Sequence, residues 1–445
     1  MPYAEGQSVS PRVTKEILHP KSMDAADACS VIIDGEPGPR FFNYQVQLCV
    51  TPKGTWIACW TQGSYEADSD QRVVVARSED NGQTWSKEIV IEGSGGTYHV
   101  PAWIVSFVVP GTGRIYMFYW YNINGVFLRD AGDIFYRCSD DDGFTWSPRY
   151  RVEIPRTAMD DPEGDIHGWN FGQPCLLATG QVMMTYTKIN RSSLYPKGWR
   201  LDLNNEWQVE PGADSATKPK NEQGGDPNNW VTEVFFLELT NILTENNPAR
   251  LNFRFLPEGH KGLWMPYPGT DRHFGQEGTL VDLSGERLLC VFRSRLGHPF
   301  FAISEDCGAT WSKPDILRIC PEGEPFNQPC APCPMTKLPD GRFVFIFHNV
   351  KPEGLGWYPR DPLWITAGRE AHGVTNNAGL HFAKPKVVIF NDGKPGGPFK
   401  DPEIGYPSFY RIGGRHYIAY ANKTCQLRIN EVPDELLDDF GLRVE

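Results

Sequence analysis

Six stretches of this chain alternate apolar with polar or small residues and break at a glycine, which commits it to a succession of β-hairpins. They read "VQLCVTPKGTWIACW", "AWIVSFVVPGTGRIYMFYW", "QPCLLATGQVMMTYT", "GTLVDLSGERLLCVFR", "CPMTKLPDGRFVFIFHN" and "YPSFYRIGGRHYIAYAN". Their turn glycines are Gly54, Gly113, Gly180, Gly285, Gly341 and Gly413. Period-two alternation marks strands, and glycine accepts the positive φ that a tight turn requires. Five hairpins are followed by a further short strand, such as "RVVVAR", "DIFYRC", "VFFLEL", "FFAIS" or "LWITA", and the sixth leads into "QLRINEV". Four-stranded units repeated around a circle make a propeller, so the expected fold is all-β, a six-bladed β-propeller. It should span residues 41–432, with an N-terminal extension over 1–40 and a tail over 433–445. The wide gap between Gly180 and Gly285 holds a polar insert, 190–229, expected to be a long loop over one face. The 44 Gly, 37 Pro and 13% aromatic residues suit many short strands and turns better than long helices.

An octapeptide recurs beside three of these units: "SEDNGQTW" (78–85), "SDDDGFTW" (139–146) and "SEDCGATW" (304–311). Ser and Asp side chains satisfy the amides of a turn, glycine takes a positive φ, and tryptophan packs between sheets. Asp80, Asp141 and Asp306 are therefore read as scaffold, and Trp85, Trp146 and Trp311 are expected to be largely buried at the outer rim.

Charge excludes some partners. A net charge of −12 argues against nucleic acid or an anionic membrane. No apolar run approaches the roughly 18 residues of a membrane span, and "MPYAEGQSVSPRVTKEILHP" has no apolar core of a signal peptide, so a cytoplasmic location is expected. Eleven scattered cysteines read as reduced thiols; only Cys330 and Cys333 have Cys-x-x-Cys spacing, and with no second pair neither a metal site nor a cofactor is expected.

In a propeller the inner strands of all blades start at one mouth, and each antiparallel second strand returns there. Six entries meet at it: "FFNYQ", "TYHVP", "NFGQP", "HFGQE", "PFNQP" and "EIGYP". Three contain Phe-x-Gln, which points to a scaffold Phe and a polar rim of Gln173, Gln276 and Gln328. Glu277, Tyr406, Tyr44 and His99 occur once each, and the exits add Arg293, Lys188 and His348. A phenol with a pKa near 10 is a poor nucleophile until a neighbouring carboxylate takes its proton. Glu277 and Tyr406 supply that pair, or else hydrogen-bond across blades without chemistry.

The three octapeptides on six glycine-centred hairpins resemble the Asp-box signature of the sialidase (neuraminidase) superfamily. "QEGTLVDLSGERLLCVFRSR" (276–295) is similar to the segment in which a Glu partners the nucleophile and an Arg binds the substrate carboxylate, here Glu277 and Arg293. "GYPSFYRIGGRHYIAYANK" (405–423) resembles the last blade, whose opening Tyr is the nucleophile, here Tyr406. "YPRDPLWITAGRE" (358–370) resembles the segment with a further carboxylate-binding Arg, here Arg360, and "SYEADSDQRVVVARSED" (64–80) the loop of the acid/base Asp, best matched by Asp68 with Asp70 close behind. The chain departs from the pattern in the first blade. Tyr44 stands where the first arginine of the triad belongs, "TQGSYE" replaces the arginine after that hairpin, and Arg40 lies four residues upstream.

The resemblance implies an exo-acting, retaining glycosidase for a terminal acidic sugar, sialic acid or a relative. Asp68 would be the acid/base, Tyr406 the nucleophile and Glu277 its proton acceptor; Arg293, Arg360, Tyr44, Gln276, His99 and His167 would contact substrate. A second reading keeps the fold but eliminates across a uronic acid, with His99, His167 or His273 as base. A third is a sugar-binding propeller without turnover, whose funnel carries Trp169, Trp264 and Trp357.

Overall fold

The run Leu288 to Phe292 is apolar at every position because both faces of its strand are buried. Leu288, Cys290 and Phe292 pack towards the preceding sheet, while Leu289 and Val291 pack towards the following one. Strands sandwiched in this way lose simple polar alternation. The computed structural model describes residues 32–33, 36–37, 42–64, 68–96, 99–122, 132–160, 166–190, 199–201, 207–209, 231–268, 272–350, 356, 359–371, 373–390, 403–422, 424 and 426–438. Arg40, Phe41, Trp357 and most of the 1–40 and 190–229 segments lie outside them.

The sheets form six antiparallel blades. The first runs Phe42–Val50, Trp56–Gly63, Arg72–Ser78 and Ile89–Glu92 from the axis outwards. The second runs Pro101–Val108, Ile115–Tyr121, Asp133–Ser139 and Tyr150–Val152. In the third, two short inner strands, Gly168–Phe171 and Cys175–Leu176, share the partner Val182–Asn190, followed by Val231–Leu239 and Phe253–Leu256. The fourth comprises Gln276–Asp282, Leu288–Arg293, Phe300–Ser304 and Asp315–Ile316. The fifth has Met335–Lys337, Phe343–Phe347 and Leu363–Glu370, with Leu380–Phe382 and Lys386–Ile389 both on its outer edge. The sixth shows three strands among the described residues, Ile404–Ile412, Arg415–Asn422 and Gln426–Val432. All six turn glycines have positive φ, between 57° and 88°. The insert leaves after Asn190 and returns at Val231, which are paired at the mouth end of the third blade; within it Trp199–Leu201 pairs with Trp207–Val209.

No blade has a core of its own. Six apolar clusters each join two successive blades, and the last of them joins the sixth to the first, through Tyr410, Tyr417 and Ala419 against Trp56, Trp60 and Leu48. That seam also carries hydrogen bonds from Gln47 Nε2 to Ser408 Oγ at 3.0 Å, from Leu48 N to the Tyr410 hydroxyl at 2.9 Å and from Asn43 N to Thr424 O at 2.8 Å.

The octapeptides fold identically. In the first, the Ser78 hydroxyl donates to Asp80 Oδ1 at 2.7 Å and accepts from Gly82 N at 2.8 Å, while Thr84 donates to Asp80 through both its amide (2.8 Å) and hydroxyl (2.6 Å). Asp141 and Asp306 repeat the pattern with Thr145 and Thr310. The left-handed residues come in pairs, Asn81–Gly82, Asp142–Gly143 and Cys307–Gly308, so the turn needs positive φ one residue earlier as well. The tryptophans differ from expectation: Trp85, Trp146 and Trp311 are half-buried. The indole N–H of Trp85 and of Trp311 donates back to the turn carbonyl at 3.1 Å, which holds the ring at the surface of the blade.

Hydrogen bonds from Thr84 hold the Asp80 carboxyl down at about 2, and those from Thr145 hold Asp141 at about 2 against the opposing effect of burial. Values depressed in the folded state stabilise it above about pH 4 and cease to do so as pH falls towards 2. Thermal unfolding should therefore show a steep acid limb over that interval. The Asp80→Asn/Asp141→Asn double variant should flatten it, as read from the unfolding midpoint against pH.

Candidate active site

Five of the six inner strands carry a β-bulge at one level, and in each a non-glycine residue takes the left-handed conformation. These are Gln45 (φ 61°), Trp103 (58°), Asn170 (47°), Glu277 (52°) and Tyr406 (48°), each within or beside the register shift of its strand. A bulge re-aims the side chain it carries, and bulky residues at positive φ are held there only by their surroundings. The fifth blade has Pro329 after Gln328, and proline cannot take positive φ, so its inner strand starts late, at Met335.

The bulges of the fourth and sixth blades bring Glu277 and Tyr406 together. The Tyr406 hydroxyl donates to Glu277 Oε1 at 2.8 Å, and Glu277 Oε2 faces Arg293 Nη1 at 2.9 Å. The Tyr406 ring meets Tyr44 and Trp103 edge-on, with centroids 4.5 and 5.1 Å away. Arg293 is buried, and its Nε donates to Gln276 Oε1 at 3.1 Å, with Nη2 on the same oxygen. Next to it, Arg360 Nη1 donates to the Tyr44 hydroxyl at 3.0 Å and is ion-paired with Glu403, while Nη2 donates to Cys330 O at 3.1 Å. The Tyr44 hydroxyl in turn donates to Glu403 Oε1 at 2.5 Å. Gly405 permits this packing, because a Cβ there would lie 2.8 Å from the Tyr44 ring and 3.0 Å from Glu403.

Burial pushes the Cys330 thiol up against the three guanidiniums that pull it down, those of Arg293, Arg295 and Arg360. Arg295 is thus a third buried arginine in this cluster, and it, Glu403 and Trp103 escaped the sequence reading. Arg295 follows Arg293 by two residues, a period-two signal that was there to be read. Glu403 carried none.

The other expected residues make contacts of their own. Asp68 is half-exposed on its own turn, accepting from Ser69 N at 2.6 Å, and shares no hydrogen bond or ion pair with the Tyr406–Glu277 group; Asp70 accepts from Ser64 N at 2.9 Å. His99 closes a small loop through Gly95 N to its carbonyl at 2.9 Å. His167 is buried, its carbonyl accepting from Ile189 N at 3.0 Å. His273 is bound to Glu233 at 2.9 Å and packs, tilted, against the exposed Trp264. Lys188 is sequestered in an ion pair with Asp160, and burial lowers its pKa against that partner's pull. His348 is pushed down to about 3 by burial and by the Arg360 charge.

The three Phe-x-Gln entries are not equivalent. Gln276 and Gln328 are fully buried and serve the exits of their own blades, Arg293 and the amide of His348 at 2.8 Å. Gln173 lies beyond the bulge of the third blade and is exposed, donating to Leu48 O at 3.3 Å. The bulge precedes the Phe in the third blade and follows it in the fourth, which displaces one motif relative to the other.

Glu403 anchors this cluster. Glu403→Leu leaves the Arg360 charge buried without its carboxylate, and a loss of about 3–5 kcal/mol is expected in chemical denaturation, most of it recovered in Arg360→Met/Glu403→Leu.

Among the described residues no group of three or more His, Cys, Asp or Glu is placed to hold a metal ion, and no helix is long and apolar enough to cross a membrane. The cysteines among them are free thiols, Cys330 and Cys333 included.

Residues 54–217 match the family model of the BNR repeat-like domain. Among solved structures, the Hadza microbial sialidase Hz136 is similar over 94% of this chain and 69% of its own, at 14% identity and a TM-score of 0.59. A protein of unknown function from Dyadobacter fermentans is similar over 91% of this chain and 98% of its own, at 14% identity and a TM-score of 0.57. The NanB sialidase from Streptococcus pneumoniae is similar over 92% of this chain and 71% of its own, at 10% identity and a TM-score of 0.55. No curated protein matches the sequence. At these identities the likeness is one of fold.

Proposed function

We propose that this chain, a BNR-repeat propeller of the sialidase superfamily fold with a carbohydrate-related role, is a retaining exo-glycosidase for a terminal acidic sugar. The observation that carries the reading is the 2.8 Å hydrogen bond from the Tyr406 hydroxyl to Glu277 inside a cluster of buried arginines. In this mechanism the Tyr406 oxygen attacks the anomeric carbon as Glu277 takes its proton, and Asp68 protonates the departing oxygen. Water, deprotonated by Asp68, then attacks the same carbon; the sugar–Tyr406 bond breaks, and the phenol regains its proton from Glu277. A phenol suits this role because a carboxylate nucleophile would be repelled by a sugar that is itself an anion at the reacting carbon. Arg293 and Arg360, whose guanidiniums pair with Glu277 and Glu403 in the structure, would supply the positive charge that such an anion needs.

The test is release of 4-methylumbelliferone from its N-acetylneuraminic acid glycoside, with NMR of the first-formed sugar to establish retention. Ultraviolet absorbance of an unsaturated uronate after incubation with a uronic-acid polymer would indicate elimination instead. Binding without either product would leave the sugar-binding reading.

A further inference from the structure

The left-handed collar has three members to which the proposed reaction gives no role, Gln45, Trp103 and Asn170. All five collar residues line one cavity on the propeller axis, of about 280 Å³, which continues from the Tyr406–Glu277 pair towards Asp282 and Lys337 on the opposite face. The collar level is thus where five blades aim a side chain at the same space, and two of those side chains are the candidate reacting pair. Strained backbone recurring at one level of unrelated sequence is the kind of outlier that marks a functional surface.

Gln45 stands out within it. Its residue surface is 3% exposed, its Oε1 accepts from the Thr61 hydroxyl at 3.0 Å, and among the described residues no group partners its Nε2. Thr61 is itself committed, accepting from Trp103 N at 3.0 Å, which orients the Gln45 amide. A buried amide donor without a partner is a standing cost that an oxygen placed in the cavity removes. The chemistry around it is neutral: Asn170 brings an amide and Thr185 a hydroxyl, while Glu277 is engaged by Tyr406 and Arg293.

We propose that Gln45 is a ligand-binding residue of this site, donating from Nε2 to an uncharged oxygen, a hydroxyl or amide carbonyl, of a sugar bound at the collar. The assignment rests on the sugar-binding part of the proposed function and not on cleavage.

Gln45→Met keeps the length of the side chain and removes the donor; Gln45→Glu keeps the oxygen that serves Thr61 and removes the same donor. The measurement is calorimetric titration of the whole chain with free N-acetylneuraminic acid, glucuronic acid, galactose and N-acetylglucosamine, beside unfolding midpoints without sugar. The expected result is that a sugar bound by the unaltered protein binds both variants about tenfold more weakly, a loss of about 1.4 kcal/mol. The Gln45→Met midpoint without sugar should move little, since removal of an unpaired buried donor is set against loss of the acceptor for the Thr61 hydroxyl. Equal affinity in both variants would overturn the assignment, and equal affinity with a lowered midpoint would make Gln45 a structural residue. Binding of none of the four sugars would overturn it as well. If only the neutral sugars bind, the acidic-sugar reading fails while Gln45 is still judged by its variants.

Discussion

Replacing Tyr406 by phenylalanine should abolish glycoside cleavage while leaving the protein folded. The ring would keep its edge contacts with Tyr44 and Trp103, and Glu277 would keep Arg293, so the unfolding midpoint should move little. What is lost is the oxygen proposed to form the covalent intermediate. Turnover of the 4-methylumbelliferyl glycoside checks the first part, and calorimetric binding of the free sugar shows that the site is otherwise intact. Full activity in this variant, together with a dead variant of His99, His167 or His273, would exclude the tyrosine mechanism and point to elimination.

Glu277→Gln should lower kcat by a factor on the order of 10²–10⁴, the range for loss of a positioned general base. The amide oxygen can still accept from the Tyr406 hydroxyl but cannot take its proton, so the chemistry slows; its NH2 then faces Arg293 Nη1, so a lowered unfolding midpoint is expected as well. The loss should fall on kcat more than on KM, because the pair acts in the transition state. A rise in KM with kcat unchanged would make Glu277 a binding residue only.

The hairpins were legible because glycine at positive φ and two-residue alternation are local properties. So was the octapeptide turn, whose hydrogen bonds stay within eight residues. The meeting of Tyr406 with Glu277, 129 positions apart, was legible because both stand where inner strands enter one mouth, while their roles came only through resemblance to a known family. The bulges were not legible. Nothing in "NYQV", "AWIV" or "GYPS" distinguishes a left-handed residue, because the conformation is imposed by neighbouring blades. For the same reason the shared Phe-x-Gln letters misled at Gln173, where the shift of one bulge moved the motif off the collar. Glu403 and Asp160 stayed hidden because a buried partner for an arginine or lysine is selected by space, at a distance along the chain that no spacing rule predicts.

The joint between the first and last blades has a bearing on how the proposed activity would be lost. Glu403 and Tyr406 come from the last blade and Tyr44 from the first, so the contacts that assemble the candidate site are also contacts that shut the ring. A circle can be breached at any of its joints, and a breach at this one separates Tyr44 from both Glu403 and Tyr406. Loosening the ends would silence the protein while most of its sheet remained hydrogen-bonded, making catalysis an early gauge of ring opening. Tethering residues 43 and 424 covalently, where Asn43 N already meets Thr424 O, would raise the temperature at which activity is lost more than the temperature at which the sheet melts.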